Sequence, residues 1–334
     1  MAVPGGTPRP RGRTSGGIPA RGGEHVKRTR RVDDRTVLVD LRFGQAEVLG
    51  CYLLLGDRPA LVETGPSTCL DSLEAGLAEH GLRLEDLEAV VVTHIHLDHA
   101  GAAGVLCRRN PRLRVFVHPV GAPHLADPTR LLRSAQRIYG SSMETLWGEV
   151  APVPAERITV VEDGQTFRIG GRVLRALDTP GHASHHHVYV DEEAQLAFSG
   201  DAAGISLPGC PVVRPPTPPP DLDLDAWDRT LDRLQSLDLR RLCLTHFGVR
   251  DDPPAVLREL RRRLREVEQL LLEGWRAGED VDRLVERLRG YLQPEVEARC
   301  GRGAADRQEL AANYRMNVLG YVRYFEKRLG PKTA

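Results

Sequence analysis

Four side chains of metal-binding type fall within six consecutive positions of this chain: His94, His96, Asp98 and His99, in the run Val91-Val-Thr-His-Ile-His-Leu-Asp-His-Ala-Gly101. Neutral imidazole and carboxylate are the ligands that borderline divalent ions prefer. A lone histidine is usually a satisfied polar residue, but packing gives no reason to place four such groups together. The run ends an apolar stretch, and a loop at the end of a buried strand can turn several side chains toward one point. The chemistry to expect is that of a bound divalent cation.

The spacing His94-x-His96-x-Asp98-His99 resembles the H-x-H-x-D-H motif of the metallo-β-lactamase-fold hydrolase superfamily. Three later stretches, Thr179-Pro-Gly-His182, Phe198-Ser-Gly-Asp201 and Leu244-Thr-His-Phe-Gly248, are similar to the remaining ligand motifs of that family, in its order. The resemblance runs from about residue 36 to 250. It implies an α/β fold, a four-layer αββα sandwich. It also implies one metal on His94, His96 and His182, a second on Asp98, His99 and His246, and Asp201 bridging them. The implied cofactors are two divalent ions, zinc first, with iron or manganese as alternatives. Two ions about 3.5–4 Å apart lower the pKa of a shared water from 15.7 toward about 7. The implied activity is therefore that of a metallo-hydrolase in which a dinuclear metal-bound hydroxide cleaves an ester-like bond. Thioesters, lactones and other carboxylic esters come before phosphodiesters; the chain is similar to the thioesterase and lactonase (glyoxalase II-like) branches and most similar to stand-alone metallo-hydrolases of undefined substrate, which share its Gly181-His-Ala-Ser-His-His186 and Pro215-Pro-Thr-Pro-Pro-Pro220 stretches. Asp98 is the residue placed to manage the proton of that water.

Two other functions fit the same fold. A mononuclear iron enzyme that oxygenates a persulfide uses two histidines and an aspartate on one iron; here Asp98, His99 and His246 are all present, which favours two metals. A non-catalytic binding protein would be marked by lost ligands, and none is lost.

Several positions depart from the family pattern or add to it. Glu63, in Leu61-Val-Glu-Thr-Gly65, stands where an aspartate is common; one methylene longer, it is expected to accept a hydrogen bond from a ligand histidine or nearby backbone. His185, His186 and His187 follow His182 too closely for all to be ligands. In an alternating strand His185 and His187 share the face opposite His186. The family arrangement singles out His186 for contact with substrate or support of the ligands. His118 and His124 lie either near the mouth of the site or in ordinary polar roles. Arg214-Pro-Pro-Thr-Pro-Pro-Pro-Asp221 is stiff because proline fixes φ, and forms either a wall of the substrate pocket or a plain linker.

Strand-like runs at Thr36–Leu41, Glu47–Leu55 and Ala60–Glu63 precede a helix from Ser67 to about His80, with Gly81 placed to end it. A buried-type strand at Leu87–Thr93 leads into the ligand motif. A helix at Ala100–Arg109, a strand at Leu113–His118 and a helical insertion at Pro128–Gly148 follow. Strands are then expected at Arg157–Val161, Thr166–Ile169, Arg172–Asp178, His186–Val190 and Gln195–Ser199. A helix at Asp223–Leu237 and a strand at Leu239–Thr245 complete the set. Each ligand motif thus sits at or just beyond a strand end. After Pro253-Pro254, Leu257, Leu260, Leu264, Val267 and Leu271 recur at helical spacing. Further helices at Val281–Leu292 and Glu309–Leu329 make residues 251–334 a helical cap on a catalytic domain of residues 32–250. Tyr314, Tyr321, Tyr324 and Phe325 belong to core packing, a substrate wall or a homodimer interface.

The chain has 334 residues, 41% of them hydrophobic, with 46 basic and 46 acidic side chains. That neutrality hides an asymmetry. Residues 1–31 carry eight Lys/Arg against Glu24 and read as a disordered basic tail, leaving 38 basic and 45 acidic residues over 32–334. A net charge of −7 there argues against a nucleic-acid-binding surface; the small-molecule substrate is what the resemblance implies. No apolar run reaches the roughly 18–20 residues of a membrane span. The tail lacks the apolar core of a secretory signal. Six cysteines without close pairing fit a cytoplasmic protein with free thiols, and cysteine as a metal ligand is not expected.

Overall fold

The computed structural model describes residues 27–330. Their strands are β1 (Thr29–Arg31), β2 (Thr36–Asp40), β3 (Gly50–Leu54), β4 (Ala60–Val62), β5 (Ala89–Val91), β6 (Arg114–Val117), β7 (Ile158–Val160), β8 (Thr166–Ile169), β9 (Arg172–Asp178), β10 (His187–Asp191), β11 (Leu196–Gly200), β12 (Arg241–Leu244) and β13 (Gly248–Arg250). The helices are α1 (Leu70–Ala78), α2 (Leu97–Ala100), α3 (Ala103–Arg109), α4 (Ala122–Ala126), α5 (Thr129–Tyr139), α6 (Met143–Trp147), α7 (Leu224–Gln235), α8 (Pro253–Arg276), α9 (Val281–Cys300), α10 (Arg302–Ala311) and α11 (Tyr314–Leu329).

The first seven strands form one sheet in sequence order, antiparallel as far as β4 and parallel from β4 to β7. The other six form a second sheet in the order β13-β12-β11-β10-β9-β8, in which only β11 and β12 run parallel. Period-two alternation assigns the layers. Leu38, Tyr52, Leu54, Val62 and Val91 of the first sheet meet Leu174, Ala176, Tyr189 and Phe198 of the second in one core. The intervening residues Val37, Val39, Leu53, Leu61 and Val90 face outward onto Leu73 and Leu77 of α1 and Leu106 of α3. On the other side Leu177, Val188, Val190 and Leu242 pack under α7 and α8. The result is the expected αββα sandwich.

Asp252 caps α8 by accepting from the Ala255 amide, and Pro253-Pro254 occupy its first turn, where a missing N–H costs nothing. Leu257, Leu260, Leu264, Val267 and Leu271 are all buried. The four C-terminal aromatics are buried in that same core. No helix of the described residues is long and apolar enough to cross a membrane.

Four readings need correction. Residues 29–31, assigned to the tail, form β1 on the edge of the first sheet, because backbone pairing tolerates the outward Arg30 and Arg31 while Thr29 is buried; the rest of that reading lies on residues outside the described ones. The segment expected as one helix at Glu309–Leu329 breaks where Asn313 accepts from the amides of Arg315 and Met316 and starts α11 afresh. The helix expected to end at Leu292 continues through Pro294 to Cys300. That extension brings Cys300 to Cys210, and the two form a disulfide across 90 residues. The remaining four cysteines are free and buried.

Candidate metal centre

The expected ligands emerge from the ends of β5, β9, β11 and β12 and gather at one edge of the sandwich. His94 and His96 lie just beyond β5, and Asp98 and His99 occupy the single turn of α2. His182 follows β9, Asp201 follows β11 and His246 follows β12. Gly200 makes the turn into Asp201 at φ +48°; a Cβ there would stand 2.4 Å from Thr93 Oγ1 and 2.8 Å from His186 Nε2. Only glycine meets both demands.

Three ring nitrogens converge at one pole. His94 Nε2, His96 Nδ1 and His182 Nε2 are mutually 2.9, 2.9 and 3.2 Å apart. Ligands about 2.0–2.1 Å from a tetrahedral ion are separated by about 3.3 Å, so the triangle has the size of one face of such a site. Tautomers are set from behind. His182 Nδ1 donates to the Pro216 carbonyl at 2.9 Å, which leaves its Nε2 as a bare lone pair. Thr93 gives its hydroxyl proton to Glu63, so its oxygen is free to accept from His94 Nδ1 at 3.0 Å. The facing lone pairs of His94 and His182 are an arrangement that a cation between them relieves.

The second pole mixes charge types. His246 Nε2 lies 3.3 Å from Asp98 Oδ2 and 3.6 Å from Asp201 Oδ1, while His99 Nε2 lies 3.8 and 3.4 Å from the same two oxygens. Here too the far nitrogens are committed, His246 Nδ1 to the Val48 carbonyl at 3.1 Å and His99 Nδ1 to Glu63 Oε1 at 3.0 Å. Asp201 spans both poles, since its Oδ2 stands 3.3 Å from His182 Nε2. His99 Nε2 and Asp201 Oδ1 are buried with no hydrogen-bond partner. Unsatisfied buried atoms of this kind, aimed at a common point, fit a divalent cation. The set could hold two, one per pole.

Electrostatics separates the poles. Burial, reinforced by neighbouring imidazoles, holds His94 and His96 well below the usual histidine range, and burial also lowers His182 against the pull of Asp201. These three are neutral, as metal ligands must be. At the other pole burial would raise the carboxyl of Asp98, but His99 and His246 outweigh it and bring it down to about 2. Asp201 is likewise held well below its ordinary value by His182, His99 and His246 against the opposing effect of burial.

Glu63 does what its position calls for despite the extra methylene. Besides His99 it accepts from the Thr93 amide at 3.2 Å and from the Thr93 hydroxyl. The chain takes φ +70° at this non-glycine residue, a left-handed conformation that carries strain. His186 is fully buried between Thr179 Oγ1, 2.8 Å from its Nδ1, and the Asp201 amide, which donates to its Nε2 at 3.2 Å. Of the two roles expected of it, support of the ligands fits these contacts and contact with substrate does not. The cavity is bordered instead by His185, whose Nδ1 is buried without a partner.

The cavity, of about 620 Å³, opens over His96, Asp98, His182, Asp201 and His246. One wall is the α5–α6 insertion, where Trp147 stacks on Phe43 at 5.5 Å and meets Tyr139 edge-on at 5.0 Å. Another is the proline-rich strap, which thus proves to be a wall; its Thr217 amide donates to Asn317 Oδ1 of α11 at 2.9 Å. The strap also supplies the Pro216 carbonyl behind His182, so the helical cap reaches a ligand through two residues. His124 borders the cavity, whereas His118 does not.

The sequence reading missed a second cluster, His118, Asp178 and His187, whose polar atoms lie within 4.8 Å of one another. Asp178 Oδ1 is 2.7 Å from His187 Nε2 and 3.3 Å from His118 Nε2. Asp178 ends β9, His187 opens β10 and His118 follows β6 of the other sheet, and only the pairing of Asp178 with His187 at the start of the β9–β10 ladder could have signalled part of the cluster.

Comparisons with known proteins bear on the whole arrangement. Residues 51–246 match the family described as the metallo-beta-lactamase superfamily. A metallo-beta-lactamase fold-containing protein of Sulfurisphaera tokodaii is 26% identical over 256 residues, covering 74% of this chain and 92% of that protein. An atrochrysone carboxyl ACP thioesterase of Aspergillus fumigatus is 29% identical over 236 residues, 69% of this chain and 61% of the thioesterase. Among solved structures, a metallo-beta-lactamase family protein from Thermus thermophilus superposes with a TM-score of 0.66 at 24% identity, over 89% of this chain and 95% of that one.

Proposed function

The chain belongs to the metallo-beta-lactamase superfamily, and from that premise we propose that it is a metal-dependent hydrolase of ester-like acyl bonds, with thioesters as the leading substrate class. The observation that carries the reading is Asp201, which directs one carboxylate oxygen to the three-histidine pole and the other to the Asp98–His99–His246 pole. His94, His96 and His182 would hold one divalent ion, Asp98, His99 and His246 the other, with Asp201 shared. When bound, such a pair acidifies water and polarises a carbonyl oxygen.

The chain's own residues do the rest. Asp98, kept as a carboxylate by His99 and His246 and with 21% of its side chain exposed, accepts a hydrogen bond from the attacking water and orients it. Glu63 and the Pro216 and Val48 carbonyls hold the imidazoles in the ligating tautomer. Leu97, Ala135, Trp147 and the strap prolines exclude bulk water from the cavity and offer an apolar seat for an acyl group. The thioesterase among the relatives supports a thioester over a phosphodiester.

Elemental analysis of the purified protein, followed by a panel of thioesters, lactones and carboxylic esters, tests this. Two divalent metals per chain with acyl hydrolysis is the expected result. One iron per chain with oxygen consumption on a persulfide would replace it.

A further inference from the structure

Mechanisms of acyl hydrolysis need a donor for the oxygen on which charge develops as water adds to the carbonyl carbon and the C=O electron pair moves onto oxygen. The expected ligands and their supports are committed to one another, and the strap prolines have no amide to offer. His185 is not committed. It borders the cavity beside the three-histidine pole, its ring centroid 5.5 Å from that of His96 at right angles and 6.1 Å from that of His94, nearly parallel. Only 8% of the residue is exposed, and its Nδ1 is buried without a hydrogen-bond partner. Its neighbour Ser184 is occupied with Asp221 at 2.6 Å. A buried imidazole with an unspent polar atom, facing the place where an acyl group would sit, has no structural role that its contacts reveal.

We propose that His185 is a catalytic residue that donates an N–H to the acyl oxygen of the bound substrate. This rests on the hydrolase reading above. The hydrogen bond strengthens as the oxygen gains charge and relaxes when the C–S or C–O bond to the leaving group breaks and the carbonyl re-forms; the proton from the attacking water goes to the leaving group, and His185 keeps its own.

The test compares wild type, His185→Ala and His185→Gln, each checked for metal per chain, with an acyl thioester and a 4-nitrophenyl ester as substrates. His185→Ala is expected to lower kcat about 100-fold, as loss of one oxyanion donor does, with KM nearly unchanged. His185→Gln, which keeps an N–H, is expected to recover at least about tenfold of that loss. Calorimetry with phenylphosphonate, a tetrahedral anion, supplies a readout apart from turnover, and His185→Ala should weaken its binding while leaving metal content intact. An active wild type with an equally active, metal-replete His185→Ala overturns the role of His185 alone. A fall in activity that tracks metal loss does the same. A metal-loaded wild type that cleaves no acyl substrate overturns the hydrolase reading and this one with it.

Discussion

Two clusters in this molecule use the same residue types, histidine and aspartate, and lie close together at the same edge of the sandwich, yet their hydrogen bonds run in opposite senses. In the candidate metal centre the rear nitrogens of His182, His246 and His99 face acceptors, the carbonyls of Pro216 and Val48 and the carboxylate of Glu63. Each rear nitrogen holds its proton there, so the inward nitrogen is the one left to face a cation; at the second pole, against burial, Asp98 and Asp201 raise His99 and His246, and a cation would take the place of that inward proton. In the His118–Asp178–His187 cluster the Val120 amide donates to His118 Nδ1 at 3.0 Å. A neutral His118 therefore carries its proton on Nε2 and turns it toward Asp178 Oδ1, the oxygen that His187 Nε2 also faces. The first arrangement calls for a cation; the second is already closed by protons. Counting ligands does not separate the two, but the partner of the far nitrogen does.

The sharpest way to break the contrast is to remove the aspartate from each. Asp201→Ala should abolish sharing between the poles, lower metal content and cut turnover on the order of 10⁴-fold, because water activation depends on the pair. Asp178→Ala should leave metal per chain unchanged. Elemental analysis of the two variants side by side checks this, and equal metal loss in both would make the second cluster part of the centre.

A smaller effect is expected one step behind the ligands. Glu63→Gln removes the charge that holds the His99 proton and weakens the chain through Thr93 to His94, and should cost about 10–100-fold in metal affinity by chelator competition. An unchanged affinity would mean that the rear partners do not set the ligating tautomers. Glu63 also marks how far the sequence could be read. Its side chain and those of the expected ligands stand at strand ends, where an apolar run gives way to polar residues, so both their place and their convergence were legible. The Pro216 and Val48 carbonyls were not, because a backbone acceptor has no residue identity to announce it. Asp178 and His118 reach each other across the two sheets, and Cys210 reaches Cys300 only because α9 runs on through Pro294; each depends on packing that no local pattern encodes. Strand alternation did not place His185 and His187 together, because β10 begins only at His187 and His185 lies in the turn before it; His185 turns to the cavity and His187 to His118 and Asp178.

The smallest expected difference concerns protons rather than metal. Burial, with His118 beside it, pushes His187 down to about 4, although Asp178 pulls the other way. In the unfolded chain the same imidazole titrates near about 6.5. Between those values the unfolded state binds a proton that the folded state refuses, so folding stability falls as pH drops through 6.5 and levels off below about 4. From pH 7 to 5 this one group accounts for about 2 kcal/mol. His187→Asn should flatten the stability–pH profile by that amount in urea unfolding of the metal-loaded protein, where contributions from the centre are common to both forms and cancel. Metal content should not move. An identical acid slope in the variant would show that His187 gains its proton without cost in the fold. A variant that sheds metal would show that the closed cluster and the open one share their ligands, and the distinction drawn from the Val120 amide would fail.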